Sequence, residues 1–314
     1  MYHDEDGYPY SYEELPDVGQ LLHEMDWDAV CVFDAARWDA FTEVTEHTSE
    51  PVCSPGSNTP KWTSRVWCND DYDWSDVTYI SGNAQTTVVR NGPDNDKDWS
   101  GKIEDHVGEY VEAFRDDDVW ADPGTSLPEP LTDVALDYDP PVVIHYMQPH
   151  EPFIGGVTAA INLGPPDMRD SFMTGVDERF DDFPTVDWND VEMQLPNMYY
   201  LVIKGLVSPA YIRFAYLTNL SRAWTAARDI RREFDTVIST ADHGEQLGIP
   251  DNSNEADLID SEHAEPPAKW GHSPDTDQGR VIPFHLDHEQ DEMTLPDPQS
   301  VGAAASHEWT LPEH

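Results

Sequence analysis

Ala29-Val30-Cys31-Val32-Phe33-Asp34 is the stretch on which the fold turns. Five apolar residues run without a break and stop at a carboxylate. A strand with one wet face alternates apolar and polar residues. An unbroken run reads instead as a strand buried on both faces, the habit of parallel sheets covered by helices on either side. Similar runs return at residues 77–81, 142–147, 236–240 and 280–284. Helical patterns fall between them at 16–26, 101–115 and 209–233. The last is the strongest, with Tyr211, Phe214, Ala215, Leu217, Leu220, Trp224, Ala227 and Ile230 near a 3.6 period. Its other face carries Arg213, Arg222, Arg228, Arg231 and Arg232, expected to offset nearby Asp and Glu. Strands alternating with helices predict one α/β domain in three α/β/α layers around a mostly parallel sheet.

The domain is expected to span residues 1–285. An irregular insertion rich in Asp, Pro and Gly is expected near 155–197, and a polar, loosely ordered tail at 286–314. With 314 residues, 11 Trp, 13 Tyr and 10 Phe, the chain has ample material for a core. Charge is its extreme feature: 63 acidic against 17 basic residues, a net −46. Such a chain repels itself in dilute buffer, and concentrated salt, with a Debye length of about 3 Å at 1 M, removes most of that repulsion. The acidic residues are spread along the whole sequence, which reads as the solvated surface of a protein from a salt-loving cell. The same charge argues against nucleic acid or an anionic membrane as a partner. The three cysteines, Cys31, Cys53 and Cys68, match no zinc module, and Cys31 reads as a buried small hydrophobe. The sequence begins with neither a basic nor an apolar leader and has no apolar run long enough to span a bilayer. A cytoplasmic location is therefore expected.

In an open α/β sheet, ligands bind outside the carboxyl ends of the strands. Here those ends are polar in an unusual way. The first strand stops at Asp34, the 142–147 strand runs into Gln148-Pro149-His150-Glu151-Pro152-Phe153, and the 236–240 strand into Asp242-His243-Gly244-Glu245. A parallel sheet would gather these distant residues at one edge. Carboxylates with imidazole suit a divalent ion such as Mn²⁺ or Zn²⁺. The plain alternative is that Asp34 is only a helix N-cap.

Taken together, Phe33-Asp34-Ala35-Ala36-Arg37-Trp38-Asp39, Pro149-His150-Glu151-Pro152-Phe153, Thr240-Ala241-Asp242-His243-Gly244-Glu245 and Trp270-Gly271-His272 with the 280–283 strand resemble, in order, the motifs of the alkaline phosphatase/sulfatase superfamily. The resemblance spans residues 28 to 285. It implies an alkaline-phosphatase-like fold and a metal-dependent hydrolase or transferase of the haloarchaeal sulfatase-like type. The substrate would be a small-molecule, glycan- or lipid-linked phosphate or sulfate ester. Asp34, Asp242 and His243 would hold the divalent ion (Mn, Zn, Mg or Ca), with His150, His272 and Arg37 on the substrate and His150 also in catalysis.

Such proteins need a nucleophile that also binds the metal, and Ser57-Asn58-Thr59-Pro60 lies in the right interval, resembling a Ser-x-Thr-Pro form. Pro60 as first helical residue would make Thr59 the N-cap, at a helix end that favours anions. Thr59 is thus read as nucleophile and metal ligand, or as a cap alone. Two departures stand out. Ala35 occupies the place where sulfatases usually have a second Asp, which counts against Ca²⁺. Cys53-Ser54-Pro55-Gly56-Ser57 lacks the Arg of a formylglycine motif, so phosphoryl transfer is expected over sulfuryl. The rival readings are a degenerate, non-catalytic binding protein on the same fold and a halophilic interaction protein with incidental histidines.

Overall fold

The computed structural model describes residues 11–87, 101–121, 125–154, 209–245 and 280–288. The expected insertion at 155–197, His263, His272 and nearly all of the expected tail lie outside these residues.

The described chain builds α1 (Val18–Glu24), β1 (Ala29–Phe33), α2 (Trp38–Thr45), β2 (Glu50–Cys53), α3 (Thr59–Val66), β3 (Trp74–Ser81) and β4 (Val107–Val111). A two-stranded ribbon of β5 (Trp120–Ala121) and β6 (Thr125–Ser126) follows. Then come α4 (Pro128–Ala135), β7 (Val142–Tyr146), α5 (Pro209–Ala226), α6 (Ile230–Glu233), β8 (Thr236–Thr240) and β9 (Val281–His288). Seven strands form one sheet in the order β2-β9-β8-β1-β7-β3-β4. The pairs β8/β1, β1/β7, β7/β3 and β3/β4 are parallel; β9 runs antiparallel to both β8 and β2. The fold is thus the expected mostly parallel α/β sheet.

Successive strand residues point to opposite faces, and the neighbours of β7 show the layers. Tyr146 stacks on Phe33, which meets Phe41 of α2 and Trp224 of α5. His145, one residue earlier, faces Trp62 of α3 and Tyr79 of β3. Helices therefore cover both faces, and all five residues of β1 and of β7 are buried. The register Ala29↔Val142 and Ala29↔Val237 brings the carboxyl ends of β1, β7 and β8 level with one another. That edge is where the site lies.

Two expectations are corrected. Residues 101–115 are not a helix. They form a 3-10 turn at Ile103–Asp105, the edge strand β4 and a second 3-10 turn at Ala113–Arg115. Val107, Tyr110 and Val111 are strand formers, and Gly108 lies against β3 so closely that a Cβ there would come within 2.5 Å of the Ser75 carbonyl oxygen. The 209–233 helix divides into α5 and α6, because the amides of Arg228 and Asp229 reach back three residues instead of four. Its arginines do offset carboxylates: Arg213 pairs with Glu43 and Arg222 with Glu129.

Candidate metal centre

Asp34 follows directly on β1, while Asp242 and His243 follow β8 with one residue between. All three side chains are buried, and their ligand atoms lie within 4.8 Å of one another. His243 Nε2 stands 3.5 Å from Asp34 Oδ1 and 3.6 Å from Asp242 Oδ2. Local backbone geometry fixes Asp242. Its Oδ1 accepts from the amides of Ala35, at 3.0 Å, and His243, at 2.8 Å, so Oδ2 faces inward. Ala35 reaches it from a left-handed turn at φ 60°, a conformation costing about 1–2 kcal/mol for a residue with a Cβ. Tyr216 of α5 holds that turn by donating to the Ala35 carbonyl at 2.6 Å.

Thr59 arrives from the other side of the sequence. The Ser54 hydroxyl, in the loop before α3, donates to the Asp242 carbonyl and ties that loop to the end of β8. Thr59 is not the N-cap, contrary to the sequence expectation. Asn58 is, its Oδ1 accepting from Lys61 N at 3.0 Å. Thr59 is the first helical residue and Pro60 the second, which leaves the Thr59 hydroxyl free of capping. It donates to Asp34 Oδ2 at 3.4 Å.

Two residues that the sequence did not single out complete the cluster. Asn83, just beyond β3, has its amide oriented by the backbone: Oδ1 accepts from Gln85 N at 2.7 Å. Its Nδ2 therefore points inward and donates to Asp34 Oδ2 and, at 3.3 Å, to Thr59 Oγ1. His145 lies under the two carboxylates, its Nε2 3.8 Å from Asp34 Oδ2 and 3.7 Å from Asp242 Oδ2. Asn83 gave no signal beyond a polar residue past a strand end. His145 did give one, an ionisable side chain inside an apolar strand run.

The other expected residues are more peripheral. His150 donates its amide to the Asp34 carbonyl at 3.1 Å, its ring sits 6.4 Å from that of His243, and its Nδ1 is 2.7 Å from the Glu151 carbonyl. Arg37 is buried and grips Asp39 with two bonds of 2.8 and 3.0 Å, with a longer one to the Glu245 carbonyl at 3.4 Å. Its guanidinium is thus engaged by Asp39.

Electrostatics mark this cluster as a cation site. Two carboxylates are buried side by side, and among the described residues no Arg or Lys pairs with either. Asp34 Oδ1, Asp242 Oδ2 and His145 Nε2 are buried without a hydrogen-bond partner, where paired groups are the rule. Burial alone would lower the His243 pKa. The Asp242 and Asp34 carboxylates outweigh it and raise the pKa to about 10, so without metal the imidazolium is the local counter-charge. Burial depresses His145 to about 4 and keeps it neutral. For His150 burial also opposes the charge, but Asp34, Glu245 and Glu151 raise its pKa on balance. Buried oxygen and nitrogen donors converging with excess negative charge fit a divalent ion.

No family model matches the chain, and no curated protein does. Among solved structures, it is similar to the soluble domain of lipooligosaccharide phosphoethanolamine transferase A from Neisseria meningitidis. The identity is 13% and the TM-score 0.43, over 82% of this chain and 75% of that one. It matches the integral membrane form of that transferase at 14% and 0.43, over 82% of this chain and 46% of that one. The C-terminal periplasmic domain of EptC from Escherichia coli, in complex with Zn, matches at 9% and 0.36, over 89% and 75%. With TM-scores below 0.5, it is the strand order and the strand-end residues that define the fold and the site. They define an α/β protein whose strand ends carry a candidate metal centre.

Proposed function

We propose that the protein is a metal-dependent phosphotransferase or phosphoric ester hydrolase that uses Thr59 as its nucleophile. One observation carries this reading. The Thr59 hydroxyl is at the N-terminus of α3, free of capping, and lies against a buried carboxylate of the Asp34, Asp242 and His243 cluster. Asp34, Asp242, His243 and Thr59 would hold the ion. A bound divalent cation would offset the carboxylates, acidify the Thr59 hydroxyl and polarise the ester.

The chain's own groups supply the rest. Asp34 Oδ2 accepts the Thr59 hydrogen bond and aims Oγ1, while Asn83 Nδ2 donates to the same oxygen and steadies negative charge on it. The Thr59 proton passes to Asp34 Oδ2, which already accepts its hydrogen bond. The Thr59 oxygen bonds to phosphorus as the bond to the leaving oxygen breaks, and His150, with its raised pKa, gives the leaving oxygen a proton. Water or an acceptor alcohol then releases the group from Thr59. His272 would contact the substrate, while Arg37, the other candidate from the sequence, has its guanidinium held by Asp39. A phosphate ester carries more negative charge than a sulfate ester and gains more from a cation and a helix N-terminus. The substrate class is a small-molecule, glycan- or lipid-linked ester. Among the described residues no helix is long and apolar enough to cross a membrane. The charge of −46 supports a salt-loving cell as the source, and the cytoplasm is the compartment we propose.

The test is a panel of phosphate mono- and diesters and sulfate esters, with Mn²⁺, Zn²⁺, Mg²⁺ and Ca²⁺, in multimolar KCl. Phosphate ester turnover, with a phosphoryl group trapped on Thr59 and found by mass spectrometry, is expected. Wild-type rates in Thr59→Ala would remove this nucleophile. No stoichiometric metal and no turnover on any ester would favour the binding-protein alternative, for which the absence of a carboxylate at Ala35 is the motive.

A further inference from the structure

His145 has no part in the reaction above, yet its ring is fully buried in the middle layer, at the floor of the site. Its two nitrogens are treated differently. Nδ1 meets the Tyr79 hydroxyl at 2.6 Å. Nε2 has no hydrogen-bond partner, and the carboxylate oxygens at 3.7 and 3.8 Å are too far to be one. The Tyr79 bond accounts for Nδ1 and leaves Nε2 as the polar atom that the packing does not explain.

His243 offers the comparison. Its Nδ1 lies 2.7 Å from the Gly244 carbonyl, an oxygen that only accepts, so Nδ1 carries the hydrogen and Nε2 is turned to Asp34 and Asp242. That is the arrangement of a metal-binding histidine, one nitrogen on the ion and the other tied to an oxygen. His145 repeats it with a hydroxyl in place of the carbonyl. Asp242 Oδ2 stands 3.6 Å from His243 Nε2 and 3.7 Å from His145 Nε2, so it is flanked almost equally by the two rings. Ligand atoms roughly 2.0–2.1 Å from a tetrahedral Zn²⁺ lie about 3.4 Å apart. His243 Nε2 lies 3.5 Å from Asp34 Oδ1 and His145 Nε2 lies 3.8 Å from Asp34 Oδ2, so each ring approaches that spacing toward its own oxygen of Asp34 and toward the shared Asp242 Oδ2.

We propose that His145 is a further ligand of the cation, binding it through Nε2, with Tyr79 as the outer partner that accepts from Nδ1 and fixes the ring. This rests on the Asp34, Asp242 and His243 reading. It sharpens that reading, because two carboxylates and two imidazoles favour Zn²⁺ or a similar transition ion over Ca²⁺ and Mg²⁺, which prefer oxygen alone.

The experiment loads the ¹⁵N-histidine-labelled protein with ¹¹³Cd²⁺ and counts the imidazole nitrogens that show coupling to cadmium. Two coupled nitrogens that persist in His150→Gln are expected. One of the two should vanish in His145→Gln and the other in His243→Gln. A single coupled nitrogen, lost in His243→Gln, would overturn the role of His145 and leave the metal centre standing. No coupling and no retained cadmium would overturn the centre itself. Should His145→Gln fail to fold, the wild-type and His150→Gln counts decide alone. Tyr79→Phe keeps the ring but removes its oxygen, and Zn²⁺ affinity by chelator competition should fall roughly 10–100-fold. Unchanged affinity would remove Tyr79 from the proposal.

Discussion

The buried carboxylates are handled in opposite ways at two places, Asp39 on one side and Asp34 with Asp242 on the other. Asp39 is sealed by Arg37 in a two-pronged ion pair, with side chains 0% and 7% exposed. Asp34 and Asp242 are as deeply buried, but their neighbours are histidines, a threonine and an asparagine. Both arrangements forfeit hydration. The first recovers it internally, whereas the second leaves Asp34 Oδ1 and Asp242 Oδ2 without a hydrogen bond. A closed pair holds a loop in place; an open pair is built for something that arrives from outside.

The comparison breaks most decisively at the open pair. Asp242→Asn should abolish stoichiometric metal retention and turnover, while the metal-free variant stays folded, because the amide oxygen can keep both backbone hydrogen bonds and one of two like charges is gone. Elemental analysis beside a melting curve checks both. A metal-free variant that unfolds would show Asp242 to be structural. The closed pair should behave in reverse. Arg37→Met leaves Asp39 buried and uncompensated, at about 3–5 kcal/mol of stability. Denaturant titration should show that loss, with metal stoichiometry kept in whatever fraction remains folded.

A pH experiment sharpens the contrast further. In the metal-free protein the His243 pKa is raised from 6.5 to about 10, with burial opposing and Asp242 and Asp34 overriding it. A raised folded pKa stabilises fully below the unfolded value. That contribution should therefore be complete below about pH 6.5 and disappear as the pH climbs through about 10. Bound metal requires the neutral ring, so affinity should rise over the same window. Imidazole NMR titration would follow it, and the raised pKa should fall in Asp242→Asn. A His243 that titrates near its ordinary value in the metal-free wild type would mean that the two carboxylates do not act on it together.

How much of this was legible follows from where the information sits. β1 is an unbroken apolar run, β7 and β8 are short strand-forming runs, and all three lead into polar residues, so both the sheet and the convergence of Asp34, Asp242 and His243 could be read in advance. Residues 101–115 misled because Ile103, Val107 and Val111 recur every four residues, a helical spacing, while the half-exposed edge position of β4 is a tertiary fact. Asn83 was invisible, since what aims its amide is the Gln85 backbone. His145 lies inside the 142–147 strand run, where period alone does not say which residue faces a site. At α3 the start was misplaced by one residue. Proline is welcome in the first helical turn, and here it takes the second position with Asn58 as cap.

That displacement sets up the finest test, between neighbours. Asn58→Ala removes the bond from Lys61 N and should cost about 1 kcal/mol of stability. Turnover should persist, since the Asn58 side chain faces the helix backbone. Thr59→Ala removes a hydroxyl that caps nothing and bonds only to Asp34 and Asn83. Alanine is also the best helix former, so its helix should be no less stable. Stability should then change by a few tenths of a kcal/mol at most, while turnover vanishes. Had Thr59 been the cap, the two variants would exchange behaviours. If both lose about 1 kcal/mol and both keep turnover, α3 serves only the fold, and the nucleophile must be sought elsewhere around Asp34.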